Sequence, residues 1–230
     1  MPPTPARREP LTRARVLAAA VALADAEGIE AVSMRRVAER LDVVPMALYK
    51  HIGDKEDLLD GMVDAVIADF RTAEGMPQNA DWRTGFVALV LGARAALGMH
   101  PWARRVIETR TRRTSAVLGH MEALTRILLD GGLSPDLAHH AMHALGNRIW
   151  GFSPELFDDD PGHAAVARAE STAPAPDPAA YPSILAIAAD ARARRPDATS
   201  CDEDFEFGFA LDLILDGIER ARSTGWTSPC

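Results

Sequence analysis

Cysteines and long apolar runs are scarce in this sequence of 230 residues. Its two cysteines, Cys201 and Cys230, lie in a polar stretch and at the last residue, so they provide neither a disulfide framework nor metal-ligand spacing. No window approaches about 18 uninterrupted apolar residues, and the charged start lacks the apolar stretch of a signal peptide. These absences predict a cytoplasmic protein with no membrane partner.

Catalytic signatures are also missing. The sequence has no G-x-S-x-G, no G-x-G-x-x-G and no G-x-x-x-x-G-K-[ST] motif. His139, His140 and His143 form H-H-x-x-H, but a zinc protease needs a glutamate general base where His140 stands. We therefore expect no metal, no cofactor and no enzymatic activity, and interpret these histidines as a surface or dimer-interface cluster. A helical enzyme that uses them is the alternative.

The charge of the chain changes sign along its length. Residues 1–55 carry nine Lys/Arg and seven Asp/Glu, whereas the other 175 residues carry sixteen and twenty-six. The net charges of the two parts are therefore +2 and −10. A cationic end on an acidic body contacts a polyanion through one face only, because the body repels it.

Apolar residues recur with helical spacing along nearly the whole chain, and strand-like alternation of useful length is missing. Two clear stripes run over 17–24 and 59–70. Further helices are predicted at about 81–98, 102–110, 113–130, 135–152, 182–194 and 204–223. The segment 154–180 is rich in proline and aspartate, which predicts a mobile loop. The predicted fold class is all-α.

The segment 33–57 has the spacing of a helix-turn-helix motif. It divides into a short helix over 34–41 capped by Ser33, a turn over 42–44, and a second helix that begins at Pro45. Its apolar residues can pack against Leu17 and Val21 of the preceding helix. The residues left facing outward on the second helix are Pro45, Met46, Ala47, Tyr49, Lys50 and His51. A protruding helix of this size fits the major groove of DNA.

The run AEGIEAVSMRRVAERLDVVPMALYKHIGDKEDLLDGM resembles the DNA-binding domain of the TetR family of transcriptional regulators, and the resemblance covers about residues 11–70. The runs YPSILAIAAD and FEFGFALDLILDGIERA are similar to the C-terminal domain of the tetracycline-repressor-like branch of that family. The resemblance implies a homodimer with two domains. Residues 1–54 would form an N-terminal arm and a three-helix DNA-binding domain. Residues 55–230 would form a larger helical body for effector binding and dimerisation.

The resemblance also implies which residues contact double-stranded operator DNA. Tyr49 and Lys55 match positions that contact phosphates. The positions that lie toward bases match Arg35, Pro45, Met46, Ala47, Lys50 and His51. Arg35 can make a bidentate contact with guanine, and Met46 or Ala47 can touch a thymine methyl group. The full expected set is Ser33, Arg35, Arg36, Pro45, Met46, Ala47, Tyr49, Lys50, His51 and Lys55. For His51, packing at the helix end remains open.

The N-terminal arm carries a cluster of arginines, namely Arg7, Arg8, Arg13 and Arg15. Such a cluster neutralises phosphates whatever the DNA sequence. Solvated arginines near a chain terminus are equally common, so both interpretations stay open.

The last predicted helix is apolar over an unusually wide arc, with Phe205, Phe209 and Leu213 beside a main stripe over 207–218. A helix of this kind is covered on two sides. A second subunit is the simplest source of the second cover, together with the 135–152 helix in an intersubunit four-helix bundle. The expected interface residues are Leu137, Ala141, Leu145, Phe207, Leu211, Ile214, Leu215 and Ile218. A buried central helix of a monomer is the alternative.

Aromatic residues and histidines are concentrated over 82–150, and small-molecule pockets are mostly apolar with a few polar groups. The expected effector-binding residues are Trp82, Phe86, His100, Trp102, His120, Met121, Leu124, Asn147 and Trp150. Core packing is the alternative for each. By resemblance, His100 matches a histidine that helps tetracycline-binding members of the family to hold a drug-chelated magnesium ion. Leu124 stands where a polar drug contact is expected, so tetracycline itself is not implied.

These patterns and the resemblance predict a repressor that an unidentified small-molecule effector releases from its operator. Effector binding would spread the two DNA-binding domains through the connector helix over 55–71. The recognition helices would then no longer match successive major grooves about 34 Å apart. An activator of the same architecture is the alternative, since it would share every residue discussed.

Overall fold

The computed structural model describes residues 10–70, 81–110, 113–150, 180–195 and 202–229, with the backbone alone for 147–150. Within this part of the chain there are ten α-helices and no strand, which confirms the all-α prediction. In chain order the helices α1 to α10 are Arg13–Glu27, Met34–Arg40, Pro45–Leu48, Lys55–Asp69, Trp82–Met99, Pro101–Thr109, Ser115–Asp130, Pro135–Trp150, Pro182–Arg194 and Glu203–Ser223. The loop predicted over 154–180 lies outside the described residues, except for Ala180.

Local capping explains where the first helices begin and end. Thr12 and Ser33 each accept a hydrogen bond from a backbone N–H three residues later, which starts α1 and α2. Gly28 ends α1 with a φ of 84°, a conformation that favours glycine. Asp42 adopts a φ of 54° in the turn after α2, and Pro45 occupies the first turn of α3. The helix-turn-helix spacing predicted from the sequence is confirmed.

In the helix-turn-helix unit, α1–α3, the buried face of α1 includes Ala20 and Ala24 of the predicted stripe but is shifted away from Leu17 and Val21. Val16, Ala20, Leu23 and Ala24 are the buried residues of α1, whereas the expected Leu17 and Val21 are half-buried. The motif itself contributes the buried Val37, Ala38, Leu48 and Ile52. The shift arises because α4 also packs on α1, so the apolar arc of α1 serves two neighbours.

The chain divides into two compact units. The first unit comprises the described residues of 1–143 and 221–230, in which α4 contacts α1, α5, α6 and α7. The second comprises the described residues of 144–220. Its helix α9 has no buried residue, whereas α10 buries one stripe and exposes another.

Among the described residues, no single helix is both long and apolar enough to cross a membrane. The pair formed by α5 and α6 meets that test of length and composition when taken together, but the two helices are bent by 108° where they join.

Candidate nucleic-acid interface and ligand site

The third helix presents an exposed surface at the outer side of the helix-turn-helix unit. Met46 is 72% exposed and Tyr49 is 49% exposed. Pro45, Lys50 and Lys55 are also exposed, whereas Ala47 and His51 are half-buried. The structure adds Val44, which is 68% exposed just before α3 and was not among the predicted contacts. Its signal in the sequence is an apolar residue in the turn that directly precedes the N-terminal proline of the outward helix.

The two arginines of α2 are paired within the chain. Nε of Arg35 donates to Glu39 at 2.8 Å, and its side chain remains 83% exposed. Arg36 donates to Glu27 at 2.6 Å. The Ser33 hydroxyl accepts from the Arg36 N–H as the cap of α2, so its first role is structural. Arg35 therefore contacts Glu39 through its Nε atom while most of its side chain remains open to solvent.

A network around Asp57 holds the end of the recognition segment. Arg13 donates to both carboxylate oxygens of Asp57, at 2.7 and 2.9 Å, and also to the backbone carbonyl of His51 at 3.0 Å. Asp57 accepts a further hydrogen bond from the Gly53 N–H at 2.8 Å. The Arg13 hydrogen bond first, and then that of Gly53, lower the pKa of Asp57 to about 2. Arg13, predicted in the N-terminal arm, is instead the first residue of α1 and connects this helix to the loop between α3 and α4 and to Asp57 of α4.

Two members of the expected effector set, His100 and Trp102, meet a residue of α1. Oδ1 of Asp25 lies 2.8 Å from His100 Nδ1 and accepts from Trp102 Nε1 at 2.6 Å. The two rings lie 6.1 Å apart. His100 occupies the bend between α5 and α6, and its side chain is 14% exposed. This contact joins α6 to the helix-turn-helix unit.

The other described members of the set are spread over α5 and α7. Phe86 and Leu124 are buried, and Met121 is 44% exposed. His120 packs its ring edge-on against Phe70 at 5.0 Å. Trp82 lies against Gly131, where a Cβ atom would come within 2.4 Å of the Trp82 Cβ. Side chains of Asn147 and Trp150 lie outside the described residues.

A groove of about 650 Å³ opens between α1 and α4. Its polar lining consists of Arg13, Asp25, Asp64, Asp69 and His100. The half-buried Leu17 and Val21 contribute to its apolar lining. His100 is the member of the expected effector set that lines this groove.

The three histidines of α8 lie beside the C-terminal tail. The rings of His139 and His143 are 4.6 Å apart, and the ring of His140 packs edge-on against Trp226. The Ser228 N–H and hydroxyl donate to Asp136, which lowers the pKa of that carboxyl group. No cluster of three metal-ligating side chains with suitable geometry occurs among the described residues.

Most of the expected dimer residues are buried within the single chain. Only Ile214 is half-buried. The remaining seven are each less than 9% exposed, namely Leu137, Ala141, Leu145, Phe207, Leu211, Leu215 and Ile218. The neighbouring stripe of α10 is open: Phe205, Phe209 and Leu213 are 63%, 54% and 58% exposed, and the two phenylalanine rings stack.

Comparisons with known proteins agree on the family. Residues 16–62 match the model of the bacterial regulatory proteins of the tetR family, and residues 75–222 match that of the tetracyclin repressor-like C-terminal domain. The chain is 32% identical to the HTH-type transcriptional repressor DrrR1 of Streptomyces coeruleorubidus, over 91% of this chain and 77% of that protein. It is 28% identical to the class G tetracycline repressor protein of Vibrio anguillarum, over 93% of this chain and 96% of the other.

A solved structure supports the same relationship. ActR from Streptomyces coelicolor, in complex with actinorhodin, is similar with a TM-score of 0.68 and 27% identity, over 93% of this chain and 99% of that chain. Sequence match, relatives and architecture thus coincide over both the helix-turn-helix unit and the helical body. The chain belongs to the TetR family of transcriptional regulators, which are ligand-responsive DNA-binding repressors and not enzymes.

Proposed function

We propose that this chain acts as a homodimer whose two α3 helices read a two-fold symmetric operator in successive major grooves. The observation that carries the proposal is the exposed α3 surface, with Met46, Tyr49 and Lys50 outward and the helix end fastened through Arg13 and Asp57. A short helix that protrudes from a rigid unit is the geometry that enters a major groove.

We assign the DNA contacts by their chemistry and position. Tyr49 and Lys55 hold phosphates, Arg35 and Lys50 reach base edges, and Met46 contacts a thymine methyl group. Val44 joins Met46 as a second exposed apolar residue next to the base edges. The expected contacts also include Arg36, Pro45, Ala47 and His51, with Ser33 fixing the start of α2.

The test of this function is selection of bound fragments from the source genome by the purified protein. We expect enrichment of one site with two similar halves, spaced by about one helical turn of DNA. Affinity for that site should fall steeply as salt concentration rises, because phosphate contacts release counterions. Equal recovery of all fragments would contradict the proposal.

The same architecture supports release by a small-molecule effector that binds in the helical body. The proposed lining comes from α5 and α7 and combines apolar Trp82, Phe86, Met121 and Leu124 with the polar group of His120. The relative ActR is recorded in complex with actinorhodin. Actinorhodin is therefore a reasonable first probe: added to the protein on its selected operator, it should release the DNA in a concentration-dependent way. Met121→Ala should raise the actinorhodin concentration needed for release, because it removes one of the proposed apolar contacts with the effector. The fold should not be weakened, because Met121 is exposed and contributes little to the core.

Dimerisation is best supported on the open stripe of α10. Three large apolar residues on one helix face, two of them stacked, are costly to leave in water. A second copy of this chain would cover Phe205, Phe209 and Leu213, while the stripe over 207–218 supplies the core of its own chain. Ile214 lies at the edge of the buried stripe, next to Phe207 on the helix surface, and is half-buried. The proposed site of action is the cytoplasm, where operator DNA is accessible.

A further inference from the structure

Helix α6 is fastened to the helix-turn-helix unit at one end and to the start of α4 at the other. At its N-terminal end, His100 and Trp102 share Oδ1 of Asp25 on α1. At its C-terminal end, Arg110 pairs with Glu56 and with Asp60 on the first turns of α4. Residues at the two ends of this nine-residue helix therefore contact α1 and α4, the two helices that flank α2 and α3 in the sequence.

Asp25 lies in the last turn of α1, and the residues that stabilise its carboxylate come from outside that helix. A carboxylate in the last turn of a helix is unfavourably placed, because the macrodipole is negative at that end. Two donors from another part of the chain, at 2.6 and 2.8 Å, offset this cost. The side chain of Asp25 is 31% exposed and that of His100 only 14%, so solvent screens the contact partially.

We infer that the Asp25–His100–Trp102 contact is a latch that fixes the orientation of the DNA-reading unit on α6, and that Asp25 is the positioning residue of operator binding. This inference rests on the proposed function and deepens it. Asp25 is not among the residues assigned to DNA, and neither are its two hydrogen-bond partners, His100 and Trp102. Its effect on DNA binding must therefore act through α6.

The latch affects binding only when the helix-turn-helix units of both subunits bind one operator together. A dimer engages two half-sites at once with high affinity if its units are already held at the separation that the operator requires. Loss of the contact between α1 and α6 would widen the range of distances between the two helix-turn-helix units of the dimer. The residues that contact DNA in each unit would be unchanged. The latch also has a regulatory consequence. A ligand that engages His100 Nδ1 must displace Asp25, so ligand binding and an intact latch exclude each other.

The experiment compares two DNA probes with purified dimer and no added effector. One probe carries the operator selected by the wild-type protein, and the other carries the same operator with one half scrambled. Asp25→Ala removes the shared acceptor, and Trp102→Phe removes one donor while keeping an aromatic ring. Asp25→Asn keeps an oxygen acceptor and serves as the rescue variant. Arg105→Ala is the matched control, because it breaks the exposed pair of Arg105 with Glu30, which also joins α6 to this unit.

We expect Asp25→Ala to weaken binding of the full operator by about tenfold and binding of the half-scrambled probe by less than about twofold. Trp102→Phe should show the same pattern to a smaller degree, and Asp25→Asn should regain most of the loss. Arg105→Ala should leave both affinities unchanged, as exposed pairs contribute little. The melting temperature of each variant is measured on the same samples.

Three results would overturn the latch. Equal losses on both probes would mean that Asp25 supports the fold or the reading surface itself. Unchanged affinities for both Asp25→Ala and Trp102→Phe would show that the contact has no role in operator binding. A loss in Asp25→Ala that Asp25→Asn does not restore would exclude the shared hydrogen bond as the cause. Failure of the wild-type protein to select any operator would instead contradict the proposed function, which keeps the two failures distinct.

Discussion

The guanidinium of Arg13 faces the carboxylate of Asp57 in a bidentate pair, with N–O distances of 2.7 and 2.9 Å across 44 positions of sequence. The same guanidinium holds the carbonyl of His51, and the same carboxylate holds the Gly53 N–H. This pair therefore connects the first turn of α1 to the first turn of α4, and both partners also hold the loop that follows α3. Arg13 has a structural role before any role in contacting DNA.

The Asp57 pair predicts a dependence of stability on pH. The pKa of Asp57 is lowered from 3.8 to about 2 in the folded chain, so its contribution is fully present above the unfolded value. That contribution is lost as the pH falls from about 4 toward 2. Asp57→Asn should lower the free energy of unfolding by about 0.5–1 kcal/mol at pH 7, because the pair is partly exposed and screened.

The difference between wild type and Asp57→Asn should shrink as the pH approaches 2, which urea unfolding at several pH values measures. Asp190→Asn is the control, since it breaks the exposed pair of Asp190 with Arg194 in the second unit. A difference that stays constant across this pH range would contradict the assignment of the lowered pKa to the Arg13 pair.

The DNA contacts predict two kinds of loss. Lys55→Ala should weaken binding to all sequences alike and lower the slope of log affinity against log salt by about one, because it removes one phosphate contact. Arg35→Ala should cost about 1–3 kcal/mol and relax preference at one operator position. Glu39→Ala should act in the opposite direction to Arg35→Ala, since it removes the acceptor that Arg35 contacts at 2.8 Å.

Competition binding against a library of operator variants distinguishes these outcomes. Unchanged operator binding in both Lys55→Ala and Arg35→Ala would overturn the assignment of these two residues, on α4 and α2, as DNA contacts.

The exposure of α10 predicts which substitutions separate the subunits. Leu213→Glu and Phe209→Glu should yield folded monomers with weakened operator binding, because they place charge on an exposed apolar stripe. Leu211→Glu, at a residue only 3% exposed within the single chain, should instead lower the melting temperature. Light scattering and thermal unfolding on the same samples check both expectations. A dimer that persists in both exposed-stripe variants would place the interface elsewhere.

The contact between Trp82 and Gly131 predicts a packing effect. A Cβ at Gly131 would lie 2.4 and 2.6 Å from Trp82 Cβ and Cγ, atoms close to the backbone that cannot move away cheaply. Gly131→Ala should therefore destabilise the fold by about 1–3 kcal/mol. Gly119→Ala is the control in the preceding helix: open space surrounds Gly119, and alanine there should stabilise by about 0.5–1 kcal/mol.

Chemical denaturation of both variants measures the two changes. Equal effects of the two substitutions would show that α5 and the end of α7 are not held together at this point.

The sequence by itself determined the features that depend on neighbours a few residues away. Thr12 and Ser33 as caps, Gly28 as a stop and Pro45 in a first turn identify the helices, because each acts on backbone groups within one turn. Helical spacing likewise determined the all-α class, and the motif around α2 and α3 indicated the proposed DNA-reading surface, of which Met46 and Tyr49 are exposed.

Only the tertiary structure decided which faces are covered and which distant polar groups meet. Periodicity marked the apolar arcs of α1 and α10, but several neighbours share each arc, so the buried side of α1 falls at Val16 and the open side of α10 at Leu213. His100 meets Asp25, 75 positions away in the sequence, and its predicted role in ligand binding stays a prediction. Contacts of this range arise from the packing of whole helices, and local spacing carries no information about them.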